Sequence, residues 1–478
     1  MSCGRDRVGR TLAERHTHFE PFLHLADVAD DEALIAWGGF WFRRDDEPDA
    51  SWRIVDDSEL GDVAQGSRSE TIGARSKPFG HAVVEVQRDG EVVARAQTAE
   101  HNHLWLRGLQ PDTEYRYNVL VDGEPWADGE RWDWDADEET LVRRGRRYDN
   151  RFRTFPAPQT RAPVRFAVLG DFGVGVVRRG EDSDRQAGLA RALERAVDGH
   201  DAQLVLTVGD NVYLATEGTT SGTGDEDDDW YASFYQPYRY LLNRVPFFPA
   251  VGNHDTSDTE RSDDREQLAD NYFIEQRFRP QVESGRASLD PGLFYRFGVG
   301  ALLEFICIDT SLAGEIDVEH YFDDPAHLEW VRDTLERPDR DGGVGRWRIP
   351  FSHHPPYCAG PSHGNTPGMA ERLVPVFREA GVRLVLSGHE HNFQHAVVDG
   401  IDYVVSGAAG KLRPEPPTGF DAAGTRSWAS AGHFLLVDVD DERVLVHPVA
   451  DVADDGTLEL IELRDPEGAP VDAPIIVH

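Results

Sequence analysis

Leu204-Val205-Leu206-Thr207-Val208-Gly209-Asp210-Asn211-Val212-Tyr213 is an apolar run that stops at a glycine and hands the chain to an aspartate and a tyrosine. An uncharged run of this length suits a strand buried on both faces, and polar residues at its end mark the edge where α/β sheets carry chemistry. The surrounding sequence repeats the pattern. Val164 to Leu169 reads as a strand ending at Gly170-Asp171, and Ala187, Leu189, Ala190, Leu193, Ala196 and Val197 then recur at helical spacing before the next strand. Pro246 to Val251 leads into Gly252-Asn253-His254-Asp255, and Val382 to Ser387 leads into Gly388-His389-Glu390-His391. Strand, helix, strand with Asp, Asn, Tyr or His at the strand ends predicts an α/β catalytic region with one active edge.

Upstream the periodicity is different. Leu34 to Trp37, His81 to Gln87, Glu91 to Gln97 and Tyr115 to Val121 are short runs rich in β-branched and aromatic residues, separated by turn signals such as Asp89-Gly90 and Pro111-Asp112. They predict a small β-sandwich. The closely spaced prolines Pro156, Pro158 and Pro163 disfavour helix and central strand and read as a linker. The division expected is an N-terminal extension over 1–20, a sandwich over 21–155, a catalytic domain over 163–450 and a C-terminal tail over 451–478, with His433 to Val446 closing the catalytic domain's second sheet. Gly218 to Asp229, a Gly/Ser/Thr tract followed by acids, reads as a surface loop.

Composition sets limits on function. The chain has 478 residues and a net charge of -38, which opposes a nucleic-acid surface and leaves small anions reachable only where a bound cation inverts the local field. Lys77 and Lys411 are the only lysines, so nearly all positive charge is arginine. Cys3, Cys307 and Cys358 fit neither a disulfide framework nor a thiolate metal site. No apolar run is long enough for a membrane span, and the charged Met1 to His24 segment lacks the apolar core of a secretory signal, so a cytoplasmic location is expected.

Leu109-Gln110-Pro111-Asp112-Thr113-Glu114-Tyr115 resembles the late-strand signature of fibronectin type III domains. The motifs from Asp171 to His391 together resemble the calcineurin-like metallophosphoesterase superfamily, and Gly209-Asp210-Asn211-Val212-Tyr213 matches the Gly-Asp-x-x-Tyr of its purple acid phosphatase branch. The resemblance implies an α+β chain, with a fibronectin type III-like β-sandwich preceding a four-layer αββα catalytic domain. It implies a binuclear metal centre. Asp171, Asp210, Tyr213 and His391 surround the first metal, while Asp210, Asn253, His353 and His389 surround the second, with Asp210 bridging. Many superfamily members place a metal-binding His two residues after the first aspartate; here Asp171-Phe172-Gly173 has none, and Tyr213 supplies a hard phenolate donor suited to iron. Iron is therefore expected at the first site, and iron, zinc or manganese at the second.

One motif departs from the branch, which has Val-x-x-His where this chain reads Pro350-Phe351-Ser352-His353-His354-Pro355. Retention of His-x-Pro selects His353 over His354 as the ligand. The resemblance implies hydrolysis of a small phosphate ester with release of phosphate, a metal-bound hydroxide attacking phosphorus and His254 protonating the leaving alcohol. Asp255 is expected to orient His254, with a turn cap as its alternative role, and His363 resembles the family's substrate-pocket histidine. Tyr357 and Cys358 read as packing residues, and Asn392 as either a phosphate contact or a turn cap. Competing readings on the same residues are a divalent-metal phosphodiesterase or nucleotidase, an organophosphate or pyrophosphate hydrolase, and a non-catalytic phosphate-binding or adhesion module using the sandwich.

Overall fold

The computed structural model describes residues 17–44, 50–55, 81–213, 229–256, 263–277, 294–310, 325–336 and 347–478. Most of the 218–229 tract, Cys3, Lys77 and much of the insert between Thr256 and Gly292 lie outside these residues.

Two sheets form the catalytic region. In the first, Phe247–Ala250, Val205–Val208 and Val164–Leu169 lie side by side in parallel, followed by the antiparallel strands Phe434–Val439 and Val444–Val452. In the second, Leu303–Cys307, Trp347–Ser352, Leu384–Ser387 and Ile401–Ser406 run parallel, flanked by antiparallel strands on both sides. Alternate side chains of the second sheet serve two layers, as the two-residue period of a strand requires. Phe305, Cys307, Leu384 and Leu386 join the core between the sheets, where the Phe166 and Phe305 rings cross edge to face at 4.9 Å. Ile306, Val385 and Tyr403 point the other way, onto Val331, Leu335, Leu373 and Phe377 of the helices Pro325–Glu336 and Pro367–Glu379. The outer face of the first sheet is covered by Glu181–His200, whose Leu189, Leu193, Ala196 and Val197 form its buried stripe. The order is helix, sheet, sheet, helix.

The strands beyond His433 correct one expectation. Phe434–Val439 pairs with Val164–Leu169, for example Val437 with Phe166, so it extends the first sheet rather than closing the second. The free edge of Val164–Leu169 needs a backbone partner, and an apolar strand buried on both faces provides it. Residues past 451 continue this role. Leu458–Leu460 and Ile475–Val477 pair with Val444–Val452, while Leu463–Arg464 and Pro470–Val471 extend the other sheet.

Two larger antiparallel sheets, besides the two-stranded pair Trp132–Asp135 and Thr140–Arg143, precede the catalytic region. One contains Thr17–Val28, Glu32–Arg43, Arg53–Ile54 and His103–Arg107, and the other Ala82–Arg88, Glu91–Thr98, Glu114–Val121, Glu124–Pro125 and Arg151–Arg153. Asp89 and Gly90 both have positive φ, 52° and 84°, the backbone of a tight hairpin turn between the second and third of these runs. These sheets do not stand apart from the α/β region. Phe22 packs on Tyr235 at 4.3 Å, the Tyr117 hydroxyl donates to the Asn243 carbonyl at 2.7 Å, and Arg239 reaches the buried Glu20 carboxylate at 2.6 Å. Among the described residues no helix is long and apolar enough to cross a membrane.

Candidate metal centre

Each polar strand end from the sequence arrives at one place. Asp171, Asp210 and His389 follow strands of both sheets and all have positive φ, 54°, 52° and 72°. Side chains seldom take this conformation, and its concentration at three adjoining turns is the kind of backbone strain found at functional sites. Two glycines let the turns close. A Cβ on Gly209 would stand 2.4 Å from His353 Nδ1, and one on Gly252 would stand 2.1 Å from Asp210 Oδ1.

The donor atoms form two adjoining groups. In one, His353 Nε2 lies 2.9 Å and His389 Nδ1 3.1 Å from Asn253 Oδ1, with 3.1 Å between the two imidazole nitrogens. Asp210 Oδ1 is 3.5 Å from His353 Nε2. In the other, His391 Nε2 lies 3.5 Å from Asp171 Oδ1 and 3.4 Å from the Tyr213 hydroxyl. Asp171, Asp210 and His391 place one ligand atom each within 4.8 Å of one another. Asp210 touches both groups.

These atoms fit cations better than they fit one another. His353 Nδ1 lies 2.9 Å from the Val208 carbonyl, so that nitrogen carries the proton and Nε2 turns a lone pair inward. Burial holds His353 and His389 below the usual imidazole range and brings His391 down to about 3, which favours the unprotonated ring at each. Asp171 is fully buried, its Oδ1 has no hydrogen-bond partner among the described residues, and burial together with the Asp210 charge pushes its carboxyl up. Burial also opposes the Asp210 charge, but His353 and the neighbouring His254 hold that carboxyl low. Lone pairs thus face lone pairs in a buried space, which costs free energy unless positive charge lies between them. Donors in adjacent positions of an octahedral site, about 2.1 Å from one ion, stand about 3.0 Å apart, the separation seen around Asn253.

The residues around this cluster are placed as follows. His254 lays its ring against Tyr213, with centroids 4.6 Å apart, and its backbone N–H donates to Asp210 Oδ1 at 3.0 Å. His363 stacks on His389 at 3.9 Å between centroids. His354 is buried, lies with Nδ1 3.0 Å from the Thr310 hydroxyl, and packs at 4.3 Å against His389. Tyr357 packs on Tyr403, and Cys358 is buried. Asn392 Oδ1 accepts from Gln394 at 3.0 Å.

Asp255 departs from its expected role. Its carboxylate accepts from the backbone N–H groups of Asn211, Val212 and Gly252 at 2.7, 3.0 and 2.7 Å and from Asn211 Nδ2 at 2.8 Å, rather than from the His254 ring. These donors are buried and occupy both of its oxygens, so Asp255 braces the Asp210 turn against the Asn253 turn.

Three residues escaped the sequence reading. Lys411 Nζ stands 5.1 Å from the Tyr213 ring centre. One of only two lysines in a chain that otherwise uses arginine was the available signal. Glu390, fully buried, joins Arg413 at 2.7 Å and the His363 N–H at 2.8 Å. Its position between His389 and His391 was visible, but the loops it joins were not.

Residues 164–393 match the family of calcineurin-like phosphoesterases. Purple acid phosphatase 17 of Arabidopsis thaliana is 28% identical over 260 residues, covering 52% of this chain and 69% of that protein. Purple acid phosphatase 3 of the same plant is 28% identical over 282 residues, covering 54% of this chain and 66% of that protein. Among solved structures, PhoD superposes with a TM-score of 0.57 at 13% identity, over 95% of this chain and 92% of that one. The purple acid phosphatase PPD1 from yellow lupin gives 0.53 at 13% identity, over 92% and 73%. The chain therefore carries a calcineurin-like metallophosphoesterase domain, is a homologue of the purple acid phosphatases, and belongs with the metal-dependent phosphoric ester hydrolases.

Proposed function

We propose that this protein is a two-metal phosphomonoesterase of the purple acid phosphatase type. The observation that carries the reading is Asp210, whose Oδ1 lies 3.5 Å from His353 Nε2 while its carboxylate shares a 4.8 Å cluster with Asp171 and His391. Asp171, Asp210, Tyr213 and His391 would hold iron; Asp210, Asn253, His353 and His389 would hold iron, zinc or manganese. When bound, such a pair lowers the pKa of a water to furnish the nucleophile and neutralises charge developing on the phosphoryl oxygens.

The protein's own contribution is positional. The Val208 carbonyl fixes the His353 tautomer, Asp255 locks two ligand turns together, and the Gly209 and Gly252 backbones admit the ligands at close range. His254 is held beside Asp210 through its backbone and against Tyr213 through its ring, and it is only partly buried. That placement suits a proton donor to a departing alkoxide. His363, partly exposed over His389, suits contact with the substrate's phosphate. A small phosphorylated substrate fits the net charge of -38, which repels a polyanion.

The N-terminal sheets form, in this reading, a fibronectin type III-like sandwich. The Tyr115 hydroxyl accepts from the Gln110 N–H at 2.8 Å, five residues upstream, in support of the tyrosine corner of such sandwiches.

The test is metal analysis of the purified protein with turnover of an aryl phosphate, a bis-aryl phosphate and nucleotides. Two metals per chain and fastest turnover of the monoester are expected. Faster turnover of the diester moves the function to a phosphodiesterase; failure to retain metal ends the reading.

A further inference from the structure

The His-x-His turn has a buried acid at its centre. Glu390 is fully buried between His389 and His391, where an apolar residue would fill the space without the desolvation cost of a carboxylate. Its two oxygens are committed to different parts of the chain. Oε1 accepts from Arg413 Nε at 2.7 Å, and Oε2 accepts from the backbone N–H of His363 at 2.8 Å. Arg413 is itself tied to the ligand turn, since its N–H donates to the His391 carbonyl at 2.8 Å.

The loop that carries His363 has been shaped to this carboxylate. A Cβ on Gly360 would lie 2.5 Å from Glu390 Cδ and 2.6 Å from Oε2, so the backbone passes over the acid as closely as glycine permits. Other hydrogen bonds fix the two ends of the same loop. Ala359 N–H donates to Gln394 Oε1 at 2.7 Å, and Cys358 N–H donates to Asn365 Oδ1 at 2.9 Å. Between these anchors the bond to Glu390 is what sets the backbone of His363, whose ring then lies 3.9 Å from His389. The N–H to carboxyl bond is short and directional, and the Arg413 guanidinium lies against the other oxygen as a compensating charge in a buried place.

We propose that Glu390 is a positioning residue, with Arg413 as its counter-ion, that holds His363 over the metal centre at the height where it meets the substrate phosphate. The inference rests on the phosphoesterase reading and adds a specific route by which one side chain controls another. It makes Glu390 neither a ligand nor a proton carrier. Its replacement leaves metal binding intact and changes the reaction only through His363.

The experiment is a double-mutant cycle on the metal-loaded protein, with an aryl phosphate as substrate. Glu390→Gln keeps the shape and removes the charge, and His363→Ala removes the positioned ring. Expected are a loss in kcat/KM of about tenfold to a hundredfold in each single variant, as a misplaced group near the reacting atoms causes. The double variant should be no slower than His363→Ala alone, with metal content equal to that of the parent. Arg413→Lys should recover much of the activity that Arg413→Met loses, which gives a second route should Glu390→Gln fold poorly. Losses that multiply in the double variant overturn the proposal, as does metal loss in Glu390→Gln or full activity in that variant. A parent protein that binds two metals but turns over no phosphate ester overturns the phosphoesterase reading and this inference together; an active parent with an unaffected Glu390→Gln overturns this inference alone.

Discussion

His353 Nδ1 lies 2.9 Å from the carbonyl oxygen of Val208, a residue of the neighbouring sheet and 145 positions earlier in the chain. The donated proton fixes the ring's tautomer, so that the other nitrogen points at Asn253 and Asp210. One hydrogen bond thus links the two sheets to each other and to the metal centre.

Replacing His353 by alanine should therefore cost one metal and not the fold. Metal analysis is expected to fall from two ions towards one per chain, with kcat reduced by about 100-fold or more, the scale on which a missing ligand acts. Asp210→Ala, at the point shared by both groups, should release both ions. Equal metal content in the two variants would contradict the bridging place of Asp210.

Tyr213 tests the identity of the first metal. Burial and the adjacent Asp210 and Asp171 charges push its phenol well above the ordinary tyrosine range, so in the metal-free protein it stays protonated and colourless. Loading with ferric iron should generate a broad visible absorption. Tyr213→Phe is expected to abolish that band while the fold, read by circular dichroism, persists. A band that survives the substitution would remove tyrosinate from the site.

Asp255 is expected to matter for stability before chemistry. Asp255→Ala leaves the N–H groups of Asn211, Val212 and Gly252 buried without their acceptor, at roughly 1–3 kcal/mol for each. The melting temperature of the metal-free protein should fall clearly, and metal affinity with it. An unchanged melting temperature, with only the pH profile of kcat altered, would restore the role of orienting His254.

Glu20 and Arg239 provide a matching test at the seam between the N-terminal sheets and the catalytic region. Both are buried and 2.6 Å apart, so Arg239→Met should destabilise by roughly 1.5–3 kcal/mol, the scale of a hydrogen bond to a charged group, because Arg131 and His18 remain beside Glu20. Burial opposes the Glu20 charge, but Arg239, His18 and Arg131 outweigh it and lower the pKa. The stabilisation is present above the ordinary glutamate pKa and is lost as pH falls through the depressed one. Urea midpoints of parent and variant should therefore converge in strong acid.

His24 gives a second pH effect, remote from the metals. Its ring sits among Phe234, Tyr235 and Phe273, neither nitrogen has a hydrogen-bond partner among the described residues, and burial, with the Arg277 charge, lowers its pKa to about 3. The unfolded chain takes up this proton near pH 6.5 and the folded one does not, so stability falls on acidification between those values, by about 1.4 kcal/mol per pH unit. His24→Phe should flatten that slope between pH 6.5 and 4.5 in urea titrations. An identical slope would show that the ring is solvated.

Much of this protein is legible in the order of its residues. Apolar runs such as Val164 to Leu169 and Leu204 to Val208 declare buried strands because apolar side chains dominate them, with only Arg165 and Thr207 between, and each closes on a glycine and a hydrophilic residue where the sheet must end. Asp89-Gly90 specifies its hairpin because both positions need positive φ. These signals are local, and the sequence contains them whole. What only the folded chain decides is which distant groups share a hydrogen bond. Asp255 follows His254 directly and yet braces Asn211 and Val212, because adjacent side chains diverge where the backbone turns and the fold brings donors from 44 and 43 residues away beside its carboxylate. The strand Phe434–Val439 chose the first sheet because Val164–Leu169 had an open edge, a fact of pairing that hydrophobic pattern does not encode. Glu390 likewise shows its charge in the sequence and its purpose only where Gly360, His363 and Arg413 close around it.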